Sequence, residues 1–115
     1  MKHYRIKEVN GIYRIEESVV KRRFVLRWFR YVTTVNWELV KMPLSWISQD
    51  NSDAYIKITR SAYRGFPLYI PPLPPMRSFE ESESVLRRYT RNDLELVVAS
   101  SSQHARLWVY RSENN

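Results

Sequence analysis

Between Lys21 and Tyr31 the chain sets five cations, Lys21, Arg22, Arg23, Arg27 and Arg30, among four aromatic rings, Phe24, Trp28, Phe29 and Tyr31. Guanidinium groups grip phosphate or carboxylate oxygens through paired hydrogen bonds and stack on flat rings, and exposed rings in turn stack on bases. The pattern predicts an anionic partner, either nucleic acid (RNA or DNA) or an acidic protein surface. Strand alternation puts Phe29 and Tyr31 on one face with Arg23 and Arg27, where stacking would be useful, and turns Phe24 and Trp28 toward a core. Three further cations, Arg5, Lys7 and Arg14, belong to the same candidate surface, because a turn at Asn10-Gly11 brings Lys7 opposite Arg14.

Catalytic chemistry finds less material. His3 and His104 have no partner at metal-ligand spacing, and there is no glycine-rich phosphate loop and no Glu-x-x-His or Asp-x-Asp pattern, so no catalytic residue, metal or cofactor is assigned. His104 beside Ser100 to Ser102 has the residue types of a base and a nucleophile, but a polar hairpin loop explains them equally well. A metal-independent ribonuclease is the enzyme alternative. It would use Arg, Lys, Tyr and Glu to stabilise developing phosphate charge, and Tyr63-Arg64 and Tyr89 to Arg91 supply suitable side chains. Adjacent Tyr and Arg are also ordinary at a strand edge.

Charge distribution sharpens the choice. The formal net charge is +7, and residues 1–41 hold ten Lys or Arg against four Glu, whereas residues 77–115 hold six of each sign. The positive excess therefore sits in the N-terminal third. Arginine outnumbers lysine fourteen to five, which favours bidentate over point-charge recognition. There is no cysteine, hence no disulfide and no thiol chemistry, and a reducing, cytoplasmic setting is expected. No apolar run approaches a membrane span, so no membrane partner is expected. A length of 115 residues with 43% apolar side chains predicts a single domain around one core.

The elements that must position these residues begin with a hairpin from Tyr4 to Glu17. Asn10-Gly11 suits a type I′ turn, whose two central residues both need positive φ. The two-residue loop fixes the register as Val9 with Ile12, Glu8 with Tyr13, Lys7 with Arg14 and Ile6 with Ile15. One face then carries Tyr4, Ile6, Tyr13 and Ile15, and the other Arg5, Lys7 and Arg14. Residues Val19 to Lys41, rich in β-branched and aromatic types, are read as two strands, with a helix over Ser18 to Val32 as the competitor.

Farther on, Met42 to Asp53 reads as a loop marked by Pro43 and a polar cluster, and Ala54 to Thr59 as a short strand. Five of the six prolines fall between Phe66 and Pro75, which predicts a proline-rich connector over residues 66–77 in extended geometry. Its Pro72 to Arg77 stretch also has the P-x-x-P-x-R spacing of groove ligands. Ser78-Phe79-Glu80-Glu81 is a capping box that starts a helix from about 79 to 91, with Phe79, Ser82, Val85, Leu86 and Tyr89 on its buried stripe. Leu94 to Ala99 and Ala105 to Arg111 form a second hairpin.

The expected fold is α+β: a mainly antiparallel sheet of five to seven strands with one helix packed on a face. The expected function is that of a small basic non-enzymatic binding module engaging nucleic acid or a nucleoprotein complex. The alternative is a protein-interaction or inhibitor module docking on an acidic surface. The composition is also of a kind frequent among viral and mobile-element accessory proteins, which is an association and not a derivation.

Overall fold

The Asn10-Gly11 turn organises everything around it. In the computed structural model, which describes residues 2–50, 52–65 and 70–113, Asn10 and Gly11 have φ of 55° and 79°, the positive values that a type I′ turn demands. Strands β1 (Lys2–Val9) and β2 (Ile12–Val25) therefore pair in the register the turn dictates, from Val9 opposite Ile12 to Tyr4 opposite Glu17. β3 (Arg30–Leu39) pairs antiparallel with β2, and β5 (Arg106–Ser112) with the other edge of β1. β4 (Glu95–Ser101) pairs with β5, giving a five-stranded antiparallel sheet in the order β3-β2-β1-β5-β4. The helix competitor over Ser18 to Val32 is overturned, since those residues belong to β2, a turn and the start of β3.

The chain divides into two compact units, one comprising residues 1–39 and 74–115, the other residues 40–73. In the first, side chains opposite one another across the strands share a face, so Tyr4, Ile6, Ile15, Trp108 and Tyr110 converge on one side of the sheet. A helix covers that side. It runs from Phe79 to Tyr89, and Ser78 caps it by accepting a hydrogen bond from the Glu81 amide at 3.1 Å. The Tyr89 ring packs edge-on against Tyr4 at 5.9 Å, and Phe79 against Trp108 at 4.6 Å. Ser82 and Leu86 are fully buried, and the Tyr110 hydroxyl donates to Glu83 at 2.9 Å. Burial, followed by the neighbouring Tyr89 and Glu17, raises the Tyr4 phenol to about 12, so it stays neutral in this layer at ordinary pH.

The expectation of one helix is corrected, because the second unit holds two more. Numbered in chain order, they are α1 (Leu44–Asp50) and α2 (Ser52–Tyr63), which makes the Phe79–Tyr89 helix α3. Met42 to Asp53 was expected to be a loop. Instead the Pro43 carbonyl accepts from the Trp46 and Ile47 amides at 3.0 and 3.2 Å, and a proline at a helix start loses nothing because its missing N–H would have no partner there. Ala54 to Thr59 was expected to be a strand. It lies inside α2, where Asp53 in the first turn and Arg60 in the last complement the helix dipole and the Thr59 hydroxyl donates back to the Ile56 carbonyl at 3.0 Å. Strand propensity is a weak, context-dependent preference, and here helix terminal signals outweigh it.

Of the proline-rich segment, residues 66–69 lie outside the described residues. In the second unit, Lys41 and Pro72 form an isolated antiparallel bridge, flanked by hydrogen bonds from the Met42 amide to the Pro71 carbonyl and from the Leu73 amide to the Val40 carbonyl. In the first unit, Met76 and Tyr13 exchange two backbone hydrogen bonds of 2.7 and 2.9 Å. Leu73 and Met76 are buried. A groove ligand has to offer such side chains and backbone groups to a partner, and these are already engaged. No helix among the described residues is long and apolar enough to cross a membrane.

Candidate functional site

The turn register also limits how far β1 can support β2. Pairing that begins at Val9 with Ile12 and loses one residue from each strand per step brings the last residue of β1, Lys2, level with Val19. Past that point β2 has only β3 beside it. Residues 19–25 and 30–36 consequently form a two-stranded ribbon, in register from Val19 opposite Asn36 to Val25 opposite Arg30. At about 3.3 Å per residue its seven pairs reach roughly 20 Å beyond the sheet.

The ribbon closes through a short 3-10 turn, Leu26–Trp28, followed by Phe29 at φ 50°. Left-handed backbone is unusual for a bulky residue and costs about 1 kcal/mol relative to glycine. The ring of this residue is not buried: Phe29 is 79% exposed. Leu26, Trp28, Tyr31, Val20, Val35 and Phe24 are exposed as well. The expectation that Phe24 and Trp28 point into a core is overturned, because both residues are about half exposed, at 46% and 57%.

Pairing distributes the cations over both sides. Arg22, Phe24, Tyr31 and Thr33 share one face, with Phe24 and Tyr31 directly opposite and their rings 5.3 Å apart. The Arg22 guanidinium lies over the Tyr31 ring at 4.6 Å. Lys21, Arg23, Val25, Arg30 and Val32 share the other face. The Arg30 guanidinium lies over the Trp28 ring at 5.1 Å, and Arg27 stands in the turn. Unbroken strand alternation would place Phe29 and Tyr31 with Arg23 and Arg27. The turn over 26–29 breaks the alternation, so residues before and after it no longer share parity, and Tyr31 belongs with Arg22.

Only one of these five cations has a carboxylate partner among the described residues: Lys21 reaches Glu38 at 3.2 Å. Arg22, Arg23, Arg27 and Arg30 are exposed guanidiniums with no ion pair among the described residues, two of them lying over rings. Stacking leaves the guanidinium edge, with its N–H donors, free for an anion.

The remaining site residues lie at the root of the ribbon, on the same face as Arg22. Arg5 is committed, bonded to Glu16 at 2.8 Å with its guanidinium 4.5 Å from the Trp37 ring centre. Lys7 and Arg14 stand directly opposite one another with no ion pair among the described residues, and together with Val9, Ile12, Glu16 and Leu39 they line a shallow depression. Like charges so placed repel, and an anion laid over them would relieve the repulsion. Sequence reading named the cations but missed that they alternate between two solvent faces. The signal was present in the Asn10-Gly11 register and the eight-residue length of β1.

Some of the residues considered for catalysis have structural partners, and others are exposed. The Ser102 hydroxyl accepts from the His104 and Ala105 amides and donates to the Ala105 carbonyl, which fixes the β4–β5 turn. Tyr89 is packed on Tyr4, and Tyr63 is exposed at the end of α2 beside Arg60 and Arg64. Among the described residues no cluster of three or more His, Asp or Glu could hold a metal ion. Comparison with protein-family models, with curated proteins and with solved structures returns no match, so the reading of the site rests on its own residues.

Proposed function

We propose that this chain is a small, basic, non-enzymatic binding module that engages nucleic acid, or a nucleoprotein complex, through its arginine-rich β2–β3 ribbon. The observation that carries the proposal is the set of four guanidiniums, Arg22, Arg23, Arg27 and Arg30, exposed and without a carboxylate partner among the described residues, on an arm that also exposes Phe24, Trp28, Phe29 and Tyr31. A structural arm would neutralise such charges with its own carboxylates, as Lys21 does with Glu38. Cations left free beside exposed rings suit phosphates and bases together. Lys7 and Arg14 extend the positive surface to the root of the ribbon.

The test is a titration of fluorescent oligonucleotides across a salt series. The logarithm of affinity falls linearly with the logarithm of salt concentration, and the double change Arg22→Ala, Arg27→Ala lowers the slope by about two units. Arg77→Ala, which removes an exposed arginine outside the ribbon, leaves the slope unchanged. Equal slopes for wild type and the double variant, or no binding by wild type near physiological salt, would remove nucleic acid as the partner and leave docking on an acidic protein surface as the reading.

A further inference from the structure

We infer, resting on the nucleic-acid reading above, that the ribbon seats in the major groove of B-form duplex DNA, with the cations of its two faces answering the two flanking phosphate backbones. The argument is one of sidedness. Arg22 projects from one face, Arg23 and Arg30 from the other, and Arg27 sits at the tip, so positive charge surrounds the ribbon. A single strand is tracked by one charged groove with rings along its floor. This arm carries guanidiniums on both faces and would leave about half of them in water. An acidic protein surface, met by one face, would do the same.

A groove with a phosphate ridge on each side satisfies both faces at once. The major groove of B-DNA is about 12 Å wide and admits a two-stranded β-ribbon, whereas the major groove of an A-form RNA helix is deep and narrow. The length fits too. Seven residue pairs of roughly 20 Å reach across the duplex rather than merely touching it. The exposed apolar side chains Val20, Phe24, Tyr31 and Val35 line the face that also bears Arg22. Between Arg22 and Arg23 the change of face needs no reorganisation, because neighbouring strand residues point to opposite sides.

The experiment compares four probes of one sequence, about 20 nucleotides or base pairs long: duplex DNA, single-stranded DNA, single-stranded RNA and duplex RNA. Duplex DNA binds at least about tenfold more tightly than the other three at the same salt concentration. Bound protein shields guanine N7, a major-groove atom, from methylation by dimethyl sulfate. Arg22→Ala and Arg23→Ala, one on each face, weaken duplex binding to similar extents. Equal or tighter binding of either single strand or of duplex RNA overturns the groove assignment while leaving the nucleic-acid reading in place. Duplex binding without N7 shielding, or with only one of the two arginines contributing, overturns it as well. Binding to none of the four probes defeats the nucleic-acid reading itself and the inference with it.

Discussion

At the scale of single residues, the informative feature is cost without local benefit. Phe29 holds a left-handed backbone at φ 50° and leaves its ring 79% exposed, so it gains neither a relaxed backbone nor burial. Phe29→Gly separates stability from binding. Relief of the strain outweighs the added freedom of the unfolded chain, and the midpoint of denaturation rises by the equivalent of about 0.5 kcal/mol, whereas loss of the ring weakens partner binding. A fall in stability would mean that the ring packs on the turn; unchanged binding would remove Phe29 from the interface. The same logic applies to Lys7 and Arg14, which face one another unneutralised while Arg5, next along β1, is bonded to Glu16. Residue types alone marked the cations, because a cluster of arginines among rings is visible in any linear chain. They could not mark which arginines were free, since that depends on where Glu16 and Glu38 fall across the strands.

At the scale of elements, the parts governed by local chemistry were legible. Asn10-Gly11 set the first hairpin's register, and the capping box set the start of α3. Ser78→Ala accordingly destabilises the fold by about 1 kcal/mol in chemical denaturation, the usual consequence of losing an N-cap, and a change within error would contradict the capping geometry. The parts that depended on neighbours were not legible. Ile56, Ile58 and Thr59 carry strand propensity, yet they sit in α2 between Asp53 and Arg60. Pro43 looks like a loop marker in the sequence and is the acceptor that opens α1. Alternation along 19–41 gave the right strands but the wrong environment for Phe24 and Trp28, because burial requires a packed layer and the ribbon lies beyond the reach of β1.

At the scale of the whole molecule, the first unit separates two tasks. One side of the five-stranded sheet carries α3 and the core of Tyr4, Ile6, Ile15, Leu86 and Tyr110, while the ribbon adds little to that core and carries the unpaired arginines. Stability and binding are therefore separable by surgery. Lys21 and Thr34 stand directly opposite one another, so residues 22–33 can be replaced by Asn-Gly, closing the shortened hairpin with the same kind of turn that joins β1 to β2. The central claim is that the ribbon is the nucleic-acid-binding element, and this truncated protein tests it most directly. Titrated with labelled duplex DNA beside the wild type, with thermal denaturation monitored in parallel, it is expected to keep a cooperative transition near that of the wild type and to lose binding by about a hundredfold or more, the effect of removing four arginine–phosphate contacts at moderate salt. A folded truncated protein that binds duplex DNA as tightly as the wild type would contradict the account.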